Sequence, residues 1–478
     1  MNNYRPISLI STFGKVLEKI VANKLFAFLE ENEILCKNQF GFRTAHSTVH
    51  PMMLLLNKLT SALNEKKHSL IIFCDLKKAF DTCDHEILLK KMYNIGIRNN
   101  ELLWFKNYLK DRRQYVVIND IASSLCNVLK GVPEGSILGP ILFLIYINDL
   151  PKCSMLFSLL FADDTTLVDS DLDLNTLIAR VNAEFQKVTH YFRVNKLSLH
   201  PDKTKFLLIT SNKSVQNMNI DLFINNNSPG ASVENPNLVH KMDRVDVNSA
   251  IPAMRFLGAF FDPNLNFKYH VELIISKVSR ALYILRTVKN ILTEKALKSL
   301  YYSLIHCHLI YAIPIWSICN QQLQKELYTK QKMAIRIVCG LKYNDHTEPM
   351  FKKLEILPLP QLIDFFSLQF MQRFVQGFLP VAFNETWTTN AIRREGQSHI
   401  SLRNDNDMYA PPARLSITSN HPLTSFPKKW ESLTDESVRI LRDKKEFDTA
   451  LKNFFLQKLA SHIKCTNPYC PSCAPKLT

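Results

Sequence analysis

The chain has 478 residues, 46% apolar and 21% charged, ordinary values for a globular protein with a sizeable core and room for two to four domains. Lys and Arg outnumber Asp and Glu by 59 to 43, and a formal charge of +16 favours a polyanionic partner, nucleic acid before an anionic membrane. No apolar run is long enough to span a bilayer, since the nearest, residues 300–316, is interrupted by His306, His308 and Pro314, and no basic leader precedes an apolar core.

Eight of the eleven cysteines are scattered, several in apolar contexts such as Cys74 and Cys83. That usage suits free thiols in a reducing compartment, so a nuclear or cytoplasmic location is expected. In chain order, the first element is a predicted helix from Ser11 to Asn32, capped by Ser11 or Thr12. Its inward residues would be Val16, Leu17, Ile20, Val21, Leu25, Phe28 and Leu29. Residues 39–43 (QFGFR) then form a loop or short strand ending in a cation, Arg43, and a second apolar helix covers about 48–63.

Residues 70–75 (LIIFCD) are a continuous apolar run ending in an acid, the pattern of a strand buried on both faces that delivers Asp75 at its end. Asp84 can cap the helix that follows, with Ile87, Leu88 and Met92 inward. Glycine is scarce, 11 in all, yet Gly131, Gly135 and Gly139 fall close together before an apolar helix to Leu150. Such a turn offers backbone N–H groups and close approach to a ligand, but its spacing is not that of a Walker loop.

Within residues 155–169 (MLFSLLFADDTTLVD) apolar and β-prone runs flank Asp163 and Asp164, predicting a tight hairpin with two acids at its tip. A pair of adjacent aspartates in a turn is commonly mere polar punctuation. Held by rigid strands, however, the two repel each other, and a divalent cation would relieve that repulsion. One further carboxylate on a neighbouring strand, Asp75, would let two ions be bridged. Beyond the hairpin, an amphipathic helix is expected over 175–194, a strand over 206–210, an Asn- and Ser-rich surface insertion over 211–249 and a strand pair over 254–262. Helices follow at about 269–288, 294–309 and 321–340, with an irregular polar stretch over 380–429 and a last helix over 446–462.

Taken in order, NYRPISLIS, QFGFR-x3-ST, FCDLKKAFDTCDHEILLKKM, GVPEGSILGPILFLIYINDLP, LLFADDTTL, LSLHPDKTK and MRFLGAFFD resemble the successive blocks of the reverse transcriptase of non-LTR (LINE-type) retrotransposons, nearest to the jockey-like branch. The resemblance covers about residues 2–265 and continues more loosely beyond. It implies an α+β right-hand polymerase: fingers and palm over 1–265, a helical thumb over 266–345, and a mostly helical basic carboxyl-terminal region over 346–478. Asp75, Asp163 and Asp164 match the catalytic carboxylates, which would bind two Mg²⁺ ions, or Mn²⁺ in their place, with the backbone carbonyl of Leu76 completing the set. Phe80 matches the aromatic steric gate against a ribose 2′-hydroxyl, and Arg43 the fingers cation that meets the triphosphate. Glu134 and Gly135 belong to the loop beside the nucleotide, and Lys203 to the block implicated in protonating pyrophosphate. The implied partners are an RNA template, a DNA primer and deoxynucleoside triphosphates.

The chain departs from the family pattern at Glu134, where Gln is usual, at His200, where Asn is common, and at Thr44, where a basic residue is common. It also starts at the first fingers block, so the upstream endonuclease of the family is expected to be missing, as in a truncated copy. In the tail, His462-x2-Cys465-x4-Cys470-x2-Cys473 has ligand types and spacing for one tetrahedral Zn²⁺, the other reading being unpaired cysteines on a frayed end. The expected function is RNA-directed DNA polymerase. The alternative is a catalytically inactive remnant that only binds nucleic acid, and nothing resembles the splicing domain of a group II intron maturase.

Overall fold

The computed structural model describes residues 8–216, 218–225, 239–390, 407–412, 419–433 and 435–461. The chain divides into two compact units, one of residues 1–51 and 65–245, the other of residues 52–64 and 246–478.

The first unit is built on a five-stranded sheet of β1 (His68–Cys74), β2 (Phe157–Phe161), β3 (Asp164–Asp171), β4 (Lys205–Ile209) and β5 (Asp243–Val245), in the spatial order β5-β4-β1-β3-β2. All seven residues of β1 are buried, as a continuous apolar run in a central strand requires. It pairs antiparallel with β3 and with β4, whereas β5 lies parallel to β4. The surface insertion predicted for 211–249 is corrected here. Its end supplies β5, and Leu222, Ile224 and Met242 join the hydrophobic core. Short alternations of two or three apolar residues inside an Asn- and Ser-rich stretch carry too little periodicity to be seen from sequence.

Helices α1 (Thr12–Glu31), α2 (His85–Asn94), α3 (Asn99–Leu109), α4 (Leu138–Ile147) and α5 (Leu174–Val194) belong to the same unit. Their starts obey capping chemistry: the Ser11 hydroxyl accepts from Gly14 N at 3.1 Å, and Asp84 accepts from the amides of Glu86 and Ile87. Every residue of α4 except Pro140 is buried. The inward face expected for α1 is only half right. Leu25 and Leu29 are buried, but Val16, Leu17 and Ile20 are more than half exposed. Glu18 turns inward instead, where it accepts from the Tyr108 hydroxyl at 2.7 Å and from Ile137 N at 2.8 Å. Two charge-assisted hydrogen bonds hold that rotation of the helix against the hydrophobic count.

The second unit carries a hairpin, Met254–Phe256 with Ala259–Phe261, and helices α6 (Lys268–Val288), α7 (Glu294–Tyr301), α8 (Gln321–Val338), α9 (Leu359–Val375), α10 (Pro422–Glu431) and α11 (Lys444–Ser461). The hairpin, grouped by sequence with the sheet, therefore belongs with the helices. Within the stretch expected to be irregular, α10 buries Phe426 and Trp430. Its Ser, Thr and Lys content hides two anchors four residues apart. Eight cysteines are free among the described residues, and no described helix is long and apolar enough to cross a membrane.

Candidate active site

The hairpin of β2 and β3 closes on Phe161 opposite Asp164, leaving Ala162 and Asp163 as a two-residue turn. Ala162 is buried and sits at φ 56°, in the left-handed region that costs an alanine about 1–2 kcal/mol. The surroundings must hold that conformation, and such strain concentrates where geometry matters.

The sheet register links this turn to Asp75. Cys74 opposes Thr165 across β1 and β3 as the last pair of that ladder, so Asp75 and Asp164 are the next residues of their segments at the same end of the sheet. The backbone of Asp75 is gripped by residues 198–204. Its carbonyl accepts from His200 N at 2.8 Å, and its N–H donates to the Thr204 hydroxyl at 3.3 Å. Leu76 bridges Leu199, and Lys77 N donates to Ser198 O at 2.8 Å. With its main chain held in this way, the Asp75 carboxylate stays 40% exposed, and the Lys203 ammonium lies 3.7 Å from its Oδ2. An exposed pair at that distance contributes little stability, so the lysine can leave when a stronger cation arrives.

Phe80 stands on the short helix Ala79–Thr82 and stacks on Phe143 with centroids 4.8 Å apart, while Phe42 meets it edge-on at 6.3 Å. Its carbonyl accepts from Val132 N, and Cys83 O accepts from Gly131 N, so the glycine loop is sewn to the segment after Asp75. Gly131 is at φ 90°, and a Cβ there would lie 2.7 Å from Asp81 O, so only glycine fits. Glu134 is half-buried and its carbonyl accepts from Ser8 N, while Gly135 is exposed at φ 98°.

Arg43, matched to the fingers cation, is engaged within its own loop. Its guanidinium makes a two-point pair with Glu30, Nε to Oε1 at 2.8 Å and Nη2 to Oε2 at 2.6 Å. Nη1 donates to the carbonyls of Cys36 and Gln39. The loop after α1 is thereby folded around its own arginine. Sequence reasoning also passed over Thr204 and Gln39. Thr204, between two lysines of the LSLHPDKTK block, is wholly buried, a sign only the fold could give. His462, Cys465, Cys470 and Cys473 lie outside the described residues.

Among the described residues no three His, Cys, Asp or Glu side chains form a ready-made metal cluster. The donor chemistry nevertheless suits a hard divalent ion. Carboxylates on the ends of adjacent strands offer oxygen ligands, and Mg²⁺ characteristically takes one or two of these and keeps water and phosphate for the rest.

These blocks, this sheet and this carboxylate-bearing end belong together in one class of protein. The family model described as reverse transcriptase (RNA-dependent DNA polymerase) matches residues 1–258, and the chain belongs to that family. Among curated proteins it is 26% identical over 365 residues to the probable RNA-directed DNA polymerase from transposon BS of Drosophila melanogaster, covering 71% of this chain and 36% of that one. To the RNA-directed DNA polymerase from mobile element jockey of the same fly it is 22% identical, over 78% of this chain and 39% of that one. The chain thus spans well under half the length of these relatives. Apo telomerase from Candida tropicalis overlaps 71% of the chain and 53% of its own length at 12% identity, with a TM-score of 0.38, too low to add to the assignment.

Proposed function

We propose that this chain is the RNA-directed DNA polymerase portion of a non-LTR retrotransposon, extending a DNA primer along an RNA template with deoxynucleoside triphosphates. The observation that supports this reading is the register that ends on Cys74 opposite Thr165, each one residue from an aspartate, Asp75 and Asp164, with Asp163 in the adjoining turn. In this reading Asp75, Asp163 and Asp164 hold divalent ions, Mg²⁺ or Mn²⁺, with the Leu76 carbonyl as an added ligand. Such ions, when bound, lower the pKa of a primer 3′-hydroxyl and neutralise charge on the leaving pyrophosphate.

The chain's own residues supply the rest. The rigid strand ends fix the separation of the acids, and residues 198–204 keep the Asp75 main chain from shifting as its carboxylate changes partners. Lys203, 3.7 Å from Asp75, yields to the ion and becomes available to an anionic leaving group. Phe80, backed by Phe143, would exclude a 2′-hydroxyl by its bulk. The loop 131–139 lets the nucleotide approach its backbone closely at the exposed Gly135, and the lysines of α8 contribute charge for duplex phosphates. Arg43 acts on the triphosphate only if its pair with Glu30 opens. The terminal His462, Cys465, Cys470 and Cys473 would hold one Zn²⁺, a reading that stands on their spacing alone.

The test is primer extension on poly(rA)/oligo(dT) with Mg²⁺, using Asp163→Ala as control. Incorporation by the wild type and none by the variant supports the enzyme. RNA binding without incorporation above that control would leave the binding remnant as the function.

A further inference from the structure

Gln39 is wholly buried, 1% exposed, and its side-chain oxygen accepts two hydrogen bonds: from Gly41 N at 2.8 Å and from Ala162 N at 3.1 Å. Ala162 is the strained first residue of the turn that presents Asp163. Its N–H lies in a buried site and would otherwise be an orphan donor. The acceptor comes from a residue 123 positions away.

The neighbours of Gln39 press on the same spot. Phe40 N donates to Leu160 O at 2.8 Å and Leu160 N to Asn38 O at 2.9 Å, so residues 38–40 line the outer edge of β2 like a short parallel strand. Gly41 then lies so close to the turn that a Cβ would stand 2.3 Å from Ala162 N. Behind it, Arg43 ties the Gln39 carbonyl to Glu30 at the end of α1. The Gln39 amide nitrogen, by contrast, is buried with no hydrogen-bond partner among the described residues. The oxygen alone makes the connection.

We infer that Gln39 is a positioning residue for the catalytic turn, and that residues 38–43 form a brace anchored on Glu30 which holds Ala162, and through it Asp163, in the conformation that receives metal. The inference rests on the polymerase reading for its kinetic consequence but not for its structural one. Metal chemistry is sensitive to displacements well under an ångström, and supporting hydrogen bonds of this kind are typically worth about 10- to 100-fold.

The experiment compares Gln39→Leu, which keeps bulk and loses the acceptor, with Gln39→Glu, which keeps an acceptor for both amides and replaces the unpartnered nitrogen with a second carboxyl oxygen. In Gln39→Leu the Ala162 amide should lose hydrogen-exchange protection, and Mn²⁺ affinity measured by electron paramagnetic resonance should fall about tenfold. The kcat of primer extension should fall about 30-fold, with KM for the nucleotide changing less than about threefold. Gln39→Glu should recover most of the amide protection and most of kcat. A folded Gln39→Leu protein with wild-type amide protection and Mn²⁺ affinity overturns the inference, as does a Glu variant no better than Leu. If the wild type itself fails to extend a primer, the polymerase reading falls. The exchange and Mn²⁺ measurements still decide the brace.

Discussion

At the open end of the sheet in the first unit, it is the main chain that is captured. The amide and carbonyl of Asp75 are held by Thr204 and His200, and the amide of Ala162 by Gln39, while the Asp75 carboxylate remains 40% exposed. The helical unit does the reverse. There the side chains are buried and consumed internally. Gln331, 0% exposed, donates to the Tyr301 hydroxyl at 3.0 Å and to Leu357 O at 3.1 Å, and accepts from Leu359 N at 2.7 Å. Asp262 accepts from the amides of Asn264, Asn266 and Phe267 to shape the entry to α6, and burial raises its pKa despite those bonds. A sheet end that fixes backbone and leaves a carboxylate exposed is prepared for a ligand, whereas buried groups satisfied as Gln331 and Asp262 are serve to hold a shape.

Substitutions should separate the two kinds of polar group. The largest effect is expected for Asp163→Ala. If the acids at this sheet end serve chemistry, primer extension should fall at least about 10³-fold, in line with the several kcal/mol that metal ligation contributes, with the thermal midpoint nearly unchanged. A large loss of stability instead would place Asp163 with the structural acids.

Acid should strike the helical unit next. Burial pushes His270 and His306 down to about 4, and His421 down to about 3, so all three are neutral in the folded state. Their unfolded pKa lies near 6.5, higher than in the fold. The stability they allow is therefore fully present above that pH and is lost as pH falls toward 4. The loss reaches roughly 3 kcal/mol for each well-buried histidine, and less for the partly exposed His306. Urea midpoints of the helical unit should fall between pH 7 and pH 4.5, and His270→Phe should flatten the slope. A slope unchanged by that substitution would count against the assignment.

Gln331→Leu comes third. It leaves a buried amide and a buried carbonyl without partners and should destabilise the helical unit by about 2–3 kcal/mol, read as a lower urea midpoint. Mn²⁺ affinity at the sheet should stay at the wild-type value, and a parallel loss there would erase the contrast between the units. The smallest effect is that of Phe80→Val. Discrimination against ribonucleotides in single-nucleotide incorporation should relax about tenfold, while an unchanged ratio would make Phe80 only the packing partner of Phe143.

Much of the sheet unit was legible because its signals are local. The apolar run before Asp75 fixed β1, Asp84 announced α2, and the apolar flanks of Asp163 and Asp164 announced the hairpin. What was missed depends on partners far along the chain. Glu18 on α1 looks like a surface charge until the Tyr108 hydroxyl and Ile137 N are seen to meet it. The pairing of Arg43 with Glu30 on α1 is likewise not visible from the residues beside it. The parallel strand β5 and the helix α10 lie in polar stretches whose few apolar anchors acquire meaning only through the cores they enter.

By itself the sequence determined which residues are candidates for chemistry and in what order they occur, because strand periodicity, capping and the type of each donor are properties of neighbours in the chain. Tertiary structure decided which of them meet. The register of β1 against β3 ends on Cys74 opposite Thr165, at the same end of the sheet as Asp75 and Asp164, and the reach of Gln39 across 123 positions holds the turn just before Asp164. Pairings of that kind are set by the free energy of burying and satisfying backbone groups throughout the unit, a sum no local stretch contains.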